Sequence, residues 1–399
     1  MTDLSAPPRH DRPTAVPERK RICTAPFESV ALLLQGGGAL GAYQAGVYER
    51  LLESDIHPTW VAGISIGAIN CAIIAGNAEQ DRVAKLRSFW EQVSSAGSNS
   101  WNDYFDAITL NSAARAWANQ LAAGQIMVTG APGFFEPRFP PPYLVPGTGA
   151  TSYYDTRSLK STLERLVDFD RINADEIRFS VGAVNVRTGN FAYFDNQTDE
   201  IRAEHIMASG ALPPAFDAVE IDGEFYWDGG LVSNTPLDWV LSSQSQLDTL
   251  VLQVDLWSAR GALPRDLSEV AVRIKEIQFS SRTRAATDAF VKSHALRYAC
   301  SELLKQMPPK LAKSEQAQLL AAASDSALYT LVQLIYRSAT YEGQSKDFEF
   351  SRRTMEEHWR DGYNDAGTTL SHPEILTLPD AAQGIAVYDF LSKAAVPVR

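Results

Sequence analysis

The sequence predicts an α/β protein: a mostly parallel sheet flanked by helices, with a helical extension at the C-terminal end. Three observations carry this. The apolar run Val30-Ala31-Leu32-Leu33-Leu34 ends in glycines and is followed by a helical pattern. Trp60-Val61-Ala62 repeats that arrangement, and Thr249 to Leu256 reads as another buried strand. After about Gly261 the chain turns mainly helical.

Taken in order, residues 1–26 are rich in Pro and Arg, mix both charge signs and hold no apolar run, so they read as a disordered tail without a signal peptide. The first strand feeds a helix from Leu40 to about Glu53, and the second a helix to about Ala75. The uncharged stretch Thr59 to Asn77 nearly reaches membrane-spanning length. Its three glycines with Ser65 and Asn70 make it a buried strand and helix instead. Arg178 to Val186 is a third strand, with Asn190 to Phe194 as hairpin partner across Arg187-Thr188-Gly189. Phe225-Tyr226-Trp227 is a short strand ending at Asp228. Two segments break the alternation. Residues 95–152, with Phe134-Phe135-Glu136-Pro137 and Phe139-Pro140-Pro141-Pro142-Tyr143, read as an ordered aromatic flap that lines a pocket rather than one that only packs the core. Residues 261–399 read as a helical extension, with Ile274, Ile277, Leu328, Leu331, Leu334 and Ile335 at helical spacing. Between tail and extension, residues 27–260 form the expected main α/β domain.

Composition narrows the function. The chain has 399 residues, 45% apolar and 21% charged, as in globular proteins with a full core. A formal charge of −12 argues against nucleic-acid binding and against purely electrostatic docking on anionic membranes. Cys23, Cys71 and Cys300 are odd in number and far apart, which fits neither a disulfide framework nor a zinc site and indicates a reducing compartment. A cytoplasmic protein, with contact at a lipid surface, is the expectation.

The chemistry-bearing pattern is Gly63-Ile64-Ser65-Ile66-Gly67 between a strand and a helix. Such a turn exposes a serine oxygen, and flanking glycines are needed where a Cβ would clash. Ester cleavage by covalent catalysis also needs a base and donors for the developing oxyanion. Asp228, in Asp228-Gly229-Gly230 at a strand end, is the candidate base. Gly36, Gly37 and Gly38, ahead of a helix N-terminus, are the candidate oxyanion-hole loop. Gly36-x-Gly38-x-x-Gly41 also satisfies a dinucleotide fingerprint, but the next strand ends in the serine turn rather than in an acid that would hold a ribose. His294, His358 and His372 are the bases a classical triad would use, yet none sits in a recognisable loop motif; His205 precedes Asp228 and reads as structural.

Together, Gly36-Gly37-Gly38-Ala39-Leu40-Gly41, Gly63-Ile64-Ser65-Ile66-Gly67 and Asp228-Gly229-Gly230 resemble the three signatures of patatin-like phospholipases, in order. The resemblance extends to Ala208-Ser209-Gly210-Ala211 with Pro213 or Pro214, and to Asn234 with Pro236, and covers about residues 27–258. It implies a three-layer α/β/α core and a Ser65–Asp228 dyad without histidine. It also implies an oxyanion hole at Gly36 to Gly38, lipid acyl hydrolysis, and no cofactor or metal. Leu40 departs from the pattern, since many members place Lys or Arg there; this favours a neutral ester, or a lipid reached from a droplet or membrane surface, over tight headgroup binding. Two alternatives share these motifs: a transacylase using the same dyad, and a non-catalytic scaffold whose helical extension recruits a partner or a second copy.

Overall fold

The computed structural model describes residues 26–95, 112–142, 144, 150–242, 247–338, 342–380 and 384–391. The expected tail, Pro26 apart, lies outside the described residues, as do residues 96–111, 143 and 145–149 of the aromatic segment. The strands are β1 (Ser29–Leu34), β2 (Trp60–Gly63), β3 (Glu136–Pro137), β4 (Tyr154–Asp155), β5 (Arg178–Asn185), β6 (Phe191–Asp195), β7 (Val219–Ile221), β8 (Glu224–Asp228), β9 (Thr249–Asp255), β10 (Tyr329–Ile335) and β11 (Ile385–Tyr388). The helices are α1 (Gly41–Glu53), α2 (Ile66–Ala75), α3 (Glu79–Val93), α4 (Ser112–Thr129), α5 (Arg157–Leu166), α6 (Phe169–Asn173), α7 (Ala203–Ser209), α8 (Leu237–Ser242), α9 (Leu267–Lys305), α10 (Glu315–Ala323) and α11 (Arg352–Leu370).

The main sheet runs β11-β10-β9-β1-β2-β5-β8-β7, with β6 also on β5. From β11 to β5 all pairings are parallel, and the β5–β6, β5–β8 and β7–β8 pairings are antiparallel. β1 lies at the centre with every residue buried, which explains its unbroken apolar run. Its alternate residues serve two cores. Val30, Leu32 and Leu34 join the larger cluster with α1 and α2, whereas Ala31 and Leu33 join a second cluster with Leu237, Val240 and Leu241 of α8. The sheet is thus covered on both faces, the three-layer α/β arrangement expected from the sequence.

The region after Gly261 is largely helical, led by the 39-residue α9. One segment in it differs from expectation. Leu328 to Ile335 forms no helix; Tyr329–Ile335 is strand β10, in parallel register with β9 (Tyr329 opposite Thr249). A strand buried on both faces has no two-residue alternation, so its leucines mimic helical spacing. β11 then pairs with β10, so the C-terminal region extends the sheet as well as covering it.

That region also grips α1. A Cβ at Gly46 of α1 would sit 1.9 Å from the Trp359 carbonyl oxygen, and one at Gly362 of α11 would sit 2.0 Å from that of Tyr43. The two helices therefore meet backbone to backbone, with Tyr43 Oη donating to Asp365 at 2.8 Å. Gly46→Ala is expected to destabilise the protein by about 1–3 kcal/mol through overpacking. Gly124→Ala, where a Cβ meets open space on α4, is expected to stabilise it by about 0.5–1 kcal/mol. Thermal unfolding of both variants checks the pair.

Candidate active site

The Gly-x-Ser-x-Gly segment forms a sharp turn between β2 and α2. Ser65 sits there at φ 55° and ψ −123°, a conformation L-residues adopt only under constraint. The constraint is close packing against β1: a Cβ on Gly67 would lie 2.2 Å from the Leu34 carbonyl oxygen. Ser209 Oγ, at the end of α7, accepts the Ser65 N–H at 2.9 Å and fixes the turn from outside. The Ile66 N–H, next in the chain, has no acceptor among the described residues.

Asp228 reaches the serine from the reversed strand β8. Gly63 of β2 lies opposite Val181 of β5, and Asp228 opposite Ala183, so β5 separates the two residues at almost the same level. The Asp228 carboxyl is buried and accepts the Gly230 N–H at 2.7 Å. Burial pushes its pKa up to about 7, and the hydrogen bonds from Ser65 and from Gly230 only partly oppose this.

The glycine loop completes the constellation, with one correction. Gly36 does not offer its N–H, which donates to the Asn234 carbonyl at 3.2 Å. The Gly36 carbonyl in turn accepts from Asn234 Nδ2 at 2.9 Å and Trp257 Nε1 at 3.0 Å. Gly36 is thus an anchor, while the N–H groups of Gly37 and Gly38 have no acceptor among the described residues. Gly38 adopts φ +56°, and a Cβ there would lie 2.0 Å from the Asp347 carbonyl oxygen, so only glycine fits. Gln35 fixes the approach: its Oε1 accepts the N–H groups of Leu256 and Trp257 at 2.7 and 3.0 Å.

Ser65, Asp228 and all three glycines line one cavity of about 280 Å³. Its walls are apolar: Ile126 and Met127 from α4, Phe134 and Phe135 after it, Phe216, and Phe348 and Phe350 from the C-terminal region. The described part of the aromatic segment therefore lines the cavity and packs the core at once, since Phe134 and Phe135 are buried. None of the five described histidines lines it. His205 caps α7 by accepting the Arg202 N–H at 2.9 Å, and His294 lies among Phe290, Tyr298 and Tyr329. His358 is buried beside Glu342, and His372 stacks on Phe390. Among the described residues no cluster of His, Cys, Asp and Glu could hold a metal, and no helix is long and apolar enough to cross a membrane.

A family model described as Patatin-like phospholipase matches residues 32–241, and a second, described as Patatin phospholipase, matches residues 277–382. The chain belongs to the patatin-like phospholipase family. Among its relatives, Triacylglycerol lipase SDP1L of Arabidopsis thaliana is 37% identical over 65 residues, 16% of this chain and 8% of that protein. The patatin-like chain thus matches only a small part of that relative's length. Among solved structures, VipD from Legionella pneumophila is 14% identical at a TM-score of 0.39, over 92% of this chain and 72% of that one. The ExoU–SpcU complex of Pseudomonas aeruginosa is 15% identical at a TM-score of 0.26, over 74% and 60%.

The geometry also brings in residues that the motifs do not mark as functional: Trp257, Asp347, the Asn234 anchor and the Ser209 hydroxyl. Ser209 and Asn234 lie within the signature segments, whereas nothing local marks Trp257 or Asp347.

The raised pKa of Asp228 has a consequence for stability. A carboxyl near 3.8 when unfolded and near 7 when folded binds its proton more tightly in the native state. Its contribution is therefore most favourable at low pH and is lost as pH rises from about 4 to about 7, at about 1.4 kcal/mol for each tenfold difference in proton affinity between the two states. Asp228→Asn is expected to raise Tm by a few degrees at pH 8 and to leave it nearly unchanged at pH 4, read by calorimetry at both.

Proposed function

We propose that the protein is a serine acyl hydrolase cleaving carboxylic esters of lipids (phospholipid, lysophospholipid or neutral acyl ester), with Ser65 as nucleophile and Asp228 as base. The observation that carries this reading is a serine on a strained turn beside a buried carboxyl whose pKa lies near 7, in an apolar cavity. A base is most effective when its pKa is close to the working pH, and an ordinary aspartate is far too acidic for that.

In the proposed cycle the ionised Asp228 takes the Ser65 proton as Oγ attacks the ester carbonyl. The resulting oxyanion accepts hydrogen bonds from the N–H groups of Gly37 and Gly38, with the Ile66 N–H as a third donor. Collapse expels the alcohol, which leaves with the proton held by Asp228. Water, deprotonated by Asp228, then attacks the acyl-serine; the second tetrahedral intermediate collapses to free fatty acid, and Ser65 Oγ leaves with the proton held by Asp228. The phenylalanines and Met127 hold the acyl chain in the dry part of the cavity.

The substrate is proposed to arrive from a lipid surface. Trp117, Leu121 and Val128 form an exposed apolar stripe on the outer side of α4, with no acidic residue on the helix, and Met127 belongs both to the exposed surface and to the cavity wall. Aggregated lipid would cover that stripe and meet the cavity at Met127.

Ser65→Ala and Asp228→Asn are each expected to lower ester turnover by at least about 10³-fold with the fold intact, checked by circular dichroism. Fluorophosphonate labelling should place the adduct on Ser65, and Asp228→Asn should suppress it. Turnover within a few-fold of wild type in either variant would remove the dyad. A transacylase would instead show acylated product when glycerol or lysolipid is added.

In wild type, kcat/KM is expected to rise as pH increases through about 7, where Asp228 loses its proton. A pH–rate profile on an uncharged ester reads this directly, and a flat profile from pH 5 to 8 would remove Asp228 as base.

A further inference from the structure

The C-terminal region does more than cover the sheet, because it holds the residue that follows the two candidate oxyanion donors. The Ala39 N–H donates to the Asp347 carbonyl at 2.8 Å. On the other side of the same residue, the Ala39 carbonyl faces His358 of α11. His358 is almost wholly buried, and Glu342 Oε2 lies 3.7 Å from its Nε2. Neither ring nitrogen makes a hydrogen bond of ordinary length, so the ring is held by packing and by the facing groups rather than by one tight bond. Burial alone would push the imidazole pKa down; Glu342, Glu349 and the Ala39 carbonyl together outweigh it and hold the ring above its ordinary value.

The surroundings are built to keep this group in place. Glu342 also accepts from Tyr336 Oη, just past the end of β10, and Tyr336 packs edge-on against the His358 ring. Lys346, buried, pairs with Glu276 of α9 at 3.0 Å and lies over the ring of Trp257, the side chain that donates to the Gly36 carbonyl. Asp361, one turn along α11, adds a further acid near His358. Beneath this cluster, α11 is fixed to α1 by the contacts at Gly46 and Gly362. The groups behind the glycine loop therefore come mainly from residues 336–361, far from it in sequence.

We propose that His358 is a positioning residue for ester cleavage: packed between Glu342 and the Ala39 carbonyl, it fixes Ala39 so that the N–H groups of Gly37 and Gly38 stay aimed at the oxyanion. The proposal rests on the serine hydrolase reading above. His358 touches neither substrate nor Ser65, and its effect reaches the reaction only through the loop. Misaimed donors cost transition-state stabilisation while leaving ground-state binding in the apolar cavity nearly intact. The expected signature is therefore a fall in kcat with KM preserved.

The test uses the full-length protein and four variants, Ser65→Ala, His358→Leu, His358→Gln and Glu342→Gln, assayed on one soluble ester, with hydrogen exchange followed by mass spectrometry over residues 35–40. His358→Leu is expected to lower kcat about 10- to 100-fold with KM within about 2-fold, and to speed exchange in that peptide but not in one from β9. His358→Gln keeps an N–H donor and should recover at least about 3-fold of the lost kcat. Glu342→Gln, which weakens the hold on the ring, should fall between wild type and His358→Leu. Wild-type kcat and loop exchange in His358→Leu, with Ser65→Ala inert, would overturn the brace and leave the hydrolase reading standing. Turnover in Ser65→Ala would overturn that reading itself. Should His358→Leu not fold, the other two His358-cluster variants decide: unchanged kcat in both, or losses in KM alone, would equally overturn the proposal.

Discussion

The site depends on keeping one carboxyl dry. In water Asp228 would be ionised at any working pH and too weak a base to draw a proton from a serine. Burial under β5, α7 and the turn after β8 brings its proton affinity towards that of an imidazole, the group such a reaction ordinarily uses. The cost falls on the fold, which must hold a partly charged group in an apolar setting with two hydrogen bonds. Asp228 arrives on an antiparallel strand: β8 turns back along β5, so the carboxyl lies level with the serine turn.

The parts of the fold legible in the sequence were those set by local chemistry. Buried parallel strands read as unbroken apolar runs, and their glycine endings marked β1 and β2 to within a residue. The serine turn was legible for the same reason, since packing against the Leu34 carbonyl admits only glycine at position 67. What stayed hidden depended on distant partners. Leu331 and Leu334 carry no sign that β9 lies beside them, and leucine spacing alone favours a helix. The glycine loop looked like three equivalent donors, but Asn234, far along the chain, occupies the first. Trp257 and Asp347 sit in unremarkable sequence and matter only because the fold brings them to the loop.

The aromatic segment shows how one set of side chains can serve two ends. Phe134 and Phe135 stack with Phe216 and Phe350 into a cluster that closes the core beside the serine. Its inner surface is the cavity wall. Cavity shape and core stability are therefore coupled, and a substitution that enlarges the cavity also removes packing. The same coupling ties the N-terminal motifs to the C-terminal region, because Phe348 and Phe350 belong to the segment that bears Asp347 and the groups around His358.

The order of strands has a further consequence, for the way the chain reaches this structure. β1 leaves the ribosome first among the strands, yet it is the central one, and its register partner for Ser29 is Thr249. β9 in turn waits for Tyr329 of β10, and β10 for Ile385 of β11. Three of the sheet's nine strands are thus zipped on from the inside outward by segments made progressively later, each closing a long loop before its contacts reward it. Until β9 arrives, one flank of β1 is an unpaired apolar edge, the kind of surface on which nascent chains associate wrongly. Assembly of the core therefore waits on strands made late, and a product truncated before β9 is a candidate for aggregation before it is a candidate for catalysis.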